Sequence, residues 1–269
     1  MFRRIGHIYS GLRDYRFLVW QLVRTNLIGS YKKSFIGMAW MFILPILAVA
    51  VWVVLHGAGI VDPGDTDDVP YPVYVLLSTS IWGFFIDLYR TVSQVMVNSG
   101  RLLVMKDFPK EVLVAEKVLE HLINFAIPLL VNIIVLIAFG IRFHWTALWF
   151  IPSLLPLLLL GLSIGMFIAV IRVVAVDFAT IVDEGLKLVM FLTPIVYTSR
   201  IQVSWLAEVV TWNPLTYLIG FSRDLLTKGI YTDIGPYLIC SGASLVIFFL
   251  VLIFFQMTSG RVLERLTIV

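Results

Sequence analysis

The sequence is poor in charged residues and in cysteine, and each shortage excludes a class of protein. Only 14% of its 269 residues are charged, whereas 60% are hydrophobic, and the mean hydropathy is +0.96; soluble domains have about 25% charged residues. A water-soluble globule with this balance would expose large apolar patches. The single cysteine, Cys240, lies inside an apolar run. A disulfide framework and a cysteine-based zinc site are therefore both excluded.

Motifs of common catalytic and nucleotide-binding sites are also missing. The sequence has no G-x-x-x-x-G-K-[ST] loop for ATP phosphates and no G-x-S-x-G turn for a serine nucleophile. Its net charge of +3 is too small to indicate nucleic acid. We therefore expect no enzyme, and no cofactor or metal held by this chain. The four histidines lack the H-E-x-x-H spacing of zinc enzymes and are expected to be packing or interfacial residues: His7, His56, His121 and His144.

The sequence consists mainly of apolar runs of about twenty residues. A helix needs this length to cross a membrane. These runs predict an all-α polytopic membrane protein with six spans, at 34–55, 73–96, 119–141, 146–171, 179–198 and 236–257. The domain 34–257 holds these spans, and the predicted cytoplasmic tail is 258–269.

The distribution of basic residues predicts the orientation. Fifteen of the 20 Lys and Arg residues flank alternate loops on one side, whereas four, Arg142, Arg200, Arg223 and Lys228, lie on the other. Because positive charge accumulates on the cytoplasmic side, both termini are predicted to be cytoplasmic. The loop 56–70, which has no Lys or Arg, is predicted to be external.

Residues 1–33 predict an amphipathic helix at the cytoplasmic interface. Apolar side chains recur there at steps of three and four, while arginines occupy the rest of the wheel. An ordinary packed helix is the alternative. The apolar positions are Ile5, Ile8, Leu12, Tyr15, Val19 and Leu22.

The segment 198–235, between spans five and six, predicts short external helices. Asn213 is suited to cap a helix that begins at Pro214, and Gly229 is suited to end it. A helix too short and polar to span is re-entrant or interfacial, and this segment is predicted to lie on the external side.

Small and charged residues inside the spans predict packing contacts. Gly161 and Gly165, followed by Ala169, form a small-residue repeat that lets helices approach closely. Prolines at 152 and 156 should bend the fourth segment or mark its external end. Two charged pairs at helical spacing are expected to neutralise each other: Asp87 with Arg90 and Asp183 with Lys187.

Four stretches, taken together and in order, resemble the ABC-2 type permeases that export polysaccharides. The entry to span one reads Y-K-K-S-F-I-G-M-A-W at 31–40, followed by Pro45. The loop between spans two and three reads N-S-G-R-L-L-V-M-K-D-F-P-K-E at 98–111. The other stretches are V-D-F at 176–178 with L-T-P-I-V-Y at 192–197, and W-N-P-L-T at 212–216. One departure is Val176, where members often have arginine; Arg172 lies one turn earlier.

The resemblance implies the transmembrane subunit of an ABC exporter, a homodimer that works with two copies of a separate ATPase subunit. ATP and Mg²⁺ would be bound by that subunit, and the segment 198–235 would gate the external exit. The chain looks most like members that move O-antigen carried on undecaprenyl diphosphate across the bacterial inner membrane. Teichoic acid or capsule exporters and a drug-efflux permease stay open as alternatives. A membrane-embedded enzyme of lipid or glycan synthesis is an alternative from another class.

The loop 97–118 is the predicted site of ATPase coupling. A permease without its own ATPase must receive force through a cytoplasmic element, and a short helix with an apolar knob and a charged rim suits docking into a groove. The alternative is a solvated loop. The coupling residues are Lys106, Phe108, Pro109, Lys110 and Glu111.

Two further sets of residues are candidate substrate contacts. Arg24, Lys32 and Lys33 lie at headgroup depth, where basic side chains would meet a lipid diphosphate; the positive-inside rule alone also explains them. Aromatic rings stack on the C–H faces of sugars, although interfacial belts also hold such residues. The predicted aromatic channel consists of Trp40, Trp52, Phe191, Tyr197, Trp212 and Tyr217.

Overall fold

The computed structural model describes residues 15–32, 39–66, 69–99, 110–199 and 203–266. Those ranges contain helices joined by turns and loops and no strand, which confirms the predicted all-α class. The helices are α1 Arg16–Lys32, α2 Trp40–Gly57, α3 Tyr71–Ser93, α4 Val95–Asn98, α5 Lys110–Ala138, α6 Phe150–Ser153, α7 Leu155–Val174, α8 Val176–Phe191, α9 Ser204–Trp212, α10 Pro214–Thr227 and α11 Ile234–Leu266, with a 3-10 helix, Trp145–Trp149, before α6.

Four helical stretches are long and apolar enough to cross a membrane: α3, α5, the stretch Trp145–Val174, and Ile234–Thr258 within α11. They coincide with predicted spans two, three, four and six. The other two predicted spans contain α2, with 18 residues, and α8, with 16. At about 1.5 Å per residue, α8 extends about 24 Å, less than the roughly 30 Å of a hydrocarbon core. The count of six spans therefore stays a prediction.

The close packing of α3 against α7 depends on two glycines. A Cβ atom at Gly161 would lie 2.9 Å from the Phe85 carbonyl oxygen, and one at Gly165 would lie 2.9 Å from the Val92 Cβ atom. Ala169, one turn further along α7, is fully buried. The small-residue repeat is thus the surface on which α3 and α7 approach, as predicted.

The helical stretch that contains α7 is broken near its start. α6 ends at Ser153 and α7 begins at Leu155, so the break lies between Pro152 and Pro156. Proline has no N–H group to donate to the preceding turn, which accounts for the interruption of the helix at Leu154.

The helix predicted at Pro214 is α10, and its local signals act as expected. The Asn213 side chain accepts a hydrogen bond from the Leu215 backbone N–H at 3.0 Å, and Gly229 has the positive φ of 68° that ends the segment. One face of α10 is buried against α3, α6 and α11. That face carries Leu215, Leu218, Ser222 and Leu225.

The first helix, α1, packs on the start of α5. Val19 and Val23 are buried against Val112, while Phe17 and Trp20 on the same helix are exposed. The alternative of a packed helix therefore holds for one side of α1. Its interfacial position stays a prediction, and the apolar positions Ile5, Ile8 and Leu12 lie outside the described residues.

Candidate functional site

A polar cleft opens between α2, α3 and α5. Its volume is about 620 Å³. Trp40, the first residue of α2 and a member of the predicted aromatic channel, lines it. Its other lining residues come from one side of α3 and one side of α5. The polar ones are Thr79, Ser80, Asp87, Arg90, Thr91, Glu120, His121 and Asn124.

Charges at the cleft are paired with one another. The Arg90 Nη1 atom lies 3.7 Å from the Asp87 Oδ1 atom, which confirms the predicted pair. The Lys117 Nζ atom lies 2.8 Å from the Glu120 Oε2 atom. Lys117 also lies 3.3 Å from the Glu116 Oε1 atom, so two cations face three carboxylates. Each of these charges has a partner of opposite sign, and the cleft offers hydrogen-bonding groups beside them.

His121 is the one lining residue of the cleft that holds a buried polar atom without a partner among the described residues. Its Nε2 atom accepts or donates no hydrogen bond, and its ring packs against Phe84 with centroids 5.0 Å apart. Burial of an unsatisfied polar atom is costly, and polar groups inside membrane segments commonly mark transport paths. The sequence-based expectation of a satisfied packing residue therefore does not describe His121 fully.

The predicted pair of Asp183 with Lys187 is wrong. Lys187 pairs instead with Glu184, at 2.6 Å, while one guanidinium nitrogen of Arg172 lies 2.9 and 3.0 Å from the two Asp183 carboxylate oxygens. Arg172 projects from α7 and can satisfy both oxygens, whereas a lysine on the same helix reaches only the more exposed Glu184. A contact between helices thus replaces the expected contact within one.

Asp183 is the centre of an ion-pair cluster that joins three helices. The Tyr89 hydroxyl of α3 donates to the Asp183 Oδ1 atom at 2.6 Å. The Arg172 Nε atom donates to the Ser93 carbonyl oxygen at 3.1 Å. We call Tyr89, Ser93, Arg172 and Asp183 the ion-pair cluster. It holds α8 against α3 and α7 by directional polar contacts.

The other end of α8 is tied to the segment 198–235. The Asn213 Nδ2 atom donates to the Leu192 carbonyl oxygen at 3.2 Å and to the Thr193 hydroxyl at 2.8 Å. The same side chain caps α10 through its oxygen. Asn213 therefore links the end of α8 to the helices α9 and α10, a role that its capping position in the sequence did not reveal.

The aromatic residues predicted to line a channel fall into separate places. Trp52 lies on α2, where it is half-buried against the hydrophobic core. It does not line the cleft. The Tyr197 hydroxyl donates to the Phe191 carbonyl oxygen at 2.8 Å, at the end of α8. Trp212 ends α9 and is 82% exposed.

Tyr217 lies on α10, close to Trp212. Burial raises the pKa of the Tyr217 phenol above its ordinary value, with smaller contributions from Asp233 and Cys240. The hydroxyl therefore stays protonated, and it donates to the Thr211 carbonyl oxygen at 2.8 Å. The structure brings Phe191 and Tyr197 together, and Trp212 and Tyr217, but does not join all six aromatic residues into one wall.

Most of the other predicted site residues lie outside the described part of the chain. This holds for Lys33, Lys106, Phe108 and Pro109, and for the side chain of Lys32. Arg24 is exposed on α1, and Lys110 and Glu111 form the first turn of α5. The diphosphate and coupling sites therefore stay predictions.

Comparison with known proteins finds similarity over most of the chain. The 250 residues that align with the O-antigen export system permease protein RfbA of Myxococcus xanthus are 27% identical and cover 92% of this chain and 93% of that protein. A protein of the same name from Klebsiella pneumoniae is 20% identical over 201 residues, which are 74% of this chain and 76% of that protein. The family described as ABC-2 type transporter matches residues 17–227. The chain therefore belongs to the ABC-2 type transporter family.

Proposed function

We propose that this chain is the permease of an ABC exporter that moves a lipid-linked polysaccharide of the O-antigen class across the bacterial inner membrane. The observation that carries this proposal is the similarity to an O-antigen export permease over 92% of this chain and 93% of that relative. Because the similarity extends through the loops as well as the helices, it favours a shared substrate class. The carrier lipid would be undecaprenyl diphosphate.

The energy would come from a partner. ABC-2 permeases are membrane subunits of ABC transporters, so family membership implies an ABC ATPase subunit. We propose a homodimer of this chain with two ATPase copies, which would bind ATP and Mg²⁺. The loop 97–118 would receive the force through Lys106, Phe108, Pro109, Lys110 and Glu111.

The dimer would form beside α2 and α8. Both helices carry large apolar side chains on faces that no other part of the described chain covers, among them Val51, Val54, Ile181 and Leu188. A second copy placed there would enclose a path between the two protomers. With six spans and cytoplasmic termini, Arg24, Lys32 and Lys33 would meet the lipid diphosphate on the cytoplasmic side.

The polar cleft fits the chemistry of a sugar chain. Hydroxyl, amide and imidazole groups can exchange hydrogen bonds with sugar hydroxyls, and Trp40 offers a ring for their C–H faces. A conduit for many successive sugars needs weak, repeated contacts rather than one tight site. The glycan would pass from this cleft toward Phe191 and Tyr197, and leave between the helices α9 and α10.

Deletion of the chain in its host tests the proposal. We expect surface glycan to disappear and lipid-linked glycan to accumulate inside the cell, as measured by gel analysis of both fractions. Expression of the native chain should restore export, whereas co-expression with an ATPase partner that cannot hydrolyse ATP should not. Surface glycan that persists after deletion would contradict the proposal, and restored resistance to a small toxic compound would favour drug efflux.

A further inference from the structure

A second cavity lies near the start of α3, away from the polar cleft. Its volume is about 320 Å³, at the lower end of the roughly 300–1,000 Å³ that small-molecule sites occupy. Its walls are the loop at Asp65, the stretch 194–199, α10, and the loop that follows α10. We call it the external pocket, because the charge distribution predicts that these elements face outside.

The walls of the external pocket are fixed by the chain's own hydrogen bonds. The Thr198 backbone N–H donates to the Pro63 carbonyl oxygen at 2.8 Å, which joins the first external loop to the stretch 194–199. The Tyr74 hydroxyl donates to the Tyr197 carbonyl oxygen at 2.9 Å. A cavity held open in this way needs little reorganisation to bind a ligand.

Two charged side chains are held in place inside the wall. The Arg223 Nε atom donates to the Asp224 Oδ1 atom at 3.1 Å, and the two side chains are 11% and 7% exposed. The Arg223 guanidinium also lies over the Tyr74 ring, 4.2 Å from its centroid. Thr232 donates to the Asp224 Oδ2 atom at 2.9 Å. A guanidinium and a carboxylate fixed side by side suit a ligand that both donates and accepts hydrogen bonds.

The charged residues of the pocket wall favour some of these ligands over others. The described wall contains three carboxylates, at Asp65, Asp224 and Asp233, and two cations, at Arg223 and Lys228. A phosphate or carboxylate would meet an excess of negative charge, which opposes its binding. The composition of the wall therefore favours a neutral, hydroxyl-rich molecule.

Thr198 adds a polar side-chain atom to the wall of the external pocket. It is 7% exposed, it lines the pocket, and its Oγ1 atom has no partner among the described residues. Buried hydroxyls are nearly always satisfied, so an orphan indicates a group that is absent here. Tyr217 and Phe221 also line the pocket and provide rings that could stack on the C–H face of a sugar.

We propose that the external pocket is an exit subsite that binds one neutral sugar residue of the emerging glycan. This inference rests on the proposed function, because it makes the exported chain the ligand. Contacts to Arg223, Asp224 and Thr198 would hold two neighbouring sugar hydroxyls. The ring of Tyr217 would stack on the C–H face of the sugar. Occupancy of the subsite would oppose backward sliding of the glycan.

Thiol labelling during export tests the subsite. In a Cys240→Ser background, Ser199→Cys places a single thiol at the pocket wall, and Ser204→Cys places a matched one on exposed α9 outside the wall. A membrane-impermeant maleimide is added to cells that make the glycan and to cells that do not. We expect glycan export to slow the labelling at position 199 several-fold and to leave position 204 unchanged.

The other outcomes separate the two proposals. Unchanged labelling at position 199 in cells that export glycan would overturn the subsite and leave the export function intact. Equal slowing at positions 199 and 204 would indicate general crowding and would also overturn the subsite. If deletion of the chain leaves surface glycan in place, the export function is wrong and the subsite falls with it.

Thr198→Val distinguishes a binding role from a structural one. Because the Thr198 hydroxyl has no partner in the part of the chain that the structure describes, its removal should not lower the melting temperature. Loss of one hydrogen bond to the sugar should weaken occupancy by roughly three- to tenfold, seen as faster labelling at position 199 during export. A lower melting temperature with unchanged protection would assign the hydroxyl to folding and overturn this contact.

Discussion

The helices α3 and α8 differ in how deeply they are buried and in the contacts that hold them in the fold. In α3, 17 of 23 residues are buried, and neighbours pack on it from several sides. In α8, Ala179 alone among 16 residues is buried. Apolar packing on several sides holds α3. One side of α8 packs on the core, where Val182, Leu186, Val189 and Met190 are half-buried, and the helix is also held by the ion-pair cluster near its middle and by the Asn213 contacts just beyond its end.

This difference indicates which helix can move. Displacement of α3 would open the contacts made by Phe85 and Val92 with the glycines of α7, and interiors packed this closely resist deformation. Displacement of α8 would disturb apolar packing on one side only and break a few polar contacts that can re-form elsewhere. We therefore expect α3 to act as a fixed frame of the permease and α8 to act as a moving wall of the proposed glycan path.

The largest effect is expected where α3 meets α7. Gly165→Leu would drive a side chain into Val92 and the Tyr89 backbone, which should lower the free energy of unfolding by about 3 kcal/mol or more. Gly185→Leu on α8 is the matched control, because a Cβ there has no neighbour within 4 Å. Thermal unfolding of the purified chains checks this, and equal damage from both changes would contradict the contrast.

Removal of the ion-pair cluster should have the next largest effect. Arg172→Ala leaves the Asp183 carboxylate without its guanidinium partner and should cost roughly 1.5–3 kcal/mol. The control is Lys187→Ala, whose pair with Glu184 is more than half exposed at both side chains and is worth little. Thermal unfolding measures the stability, and thiol labelling along α8 reports its detachment. Identical behaviour of the two variants would show that the ion-pair cluster does not hold α8 in place.

The sequence alone predicts features that depend on neighbours along the chain. Apolar runs located the helices, the Asn213-Pro214 pair located the start of α10, and the glycine repeat located the surface of α7 that packs closely. Each signal acts within a few residues, so no knowledge of the fold was needed.

Contacts between helices could not be predicted in this way. The partner of Asp183 depends on how α7 and α8 turn against each other, and so helical spacing suggested Lys187 where the structure has Arg172. The polar cleft arises because polar faces of α3 and α5 meet. Residues such as Asp87 and His121 showed polar positions within apolar helices, but nothing local indicated that they share one cavity.

A smaller effect on stability, but a clear one on export, is expected at the cleft in the fixed frame. His121→Leu removes an Nε2 atom that has no partner among the described residues and one hydrogen bond to the Phe84 backbone, so stability should change by only about 1 kcal/mol. If the imidazole contacts substrate, surface glycan should fall several-fold at unchanged protein abundance. Gln94→Leu, at the exposed end of α3 outside both the cleft and the coupling loop, serves as a control. Full export by the His121→Leu variant would show that His121 is a packing residue.

The smallest effects on folding are expected at exposed aromatic residues near the moving wall. Trp212→Ala and Trp145→Ala remove side chains that are both largely exposed, and neither should change stability by more than about 0.5 kcal/mol. Only Trp212 belongs to the proposed exit path, so only its loss should slow export or alter the exported chain length, as measured by gel analysis. If neither variant changes export or the exported chain length, the proposed aromatic path has no support.

Reconstituted transport tests the central claim most directly. The permease and its ATPase subunit would be placed in proteoliposomes with lipid-linked glycan on the outer face, and glycan that reaches the lumen would be measured by protection from an added glycosidase. We predict ATP-dependent protection with the native permease, and a loss of protection with Arg172→Ala under conditions in which that variant stays folded. ATP hydrolysis without any transfer of glycan to the lumen would contradict the account.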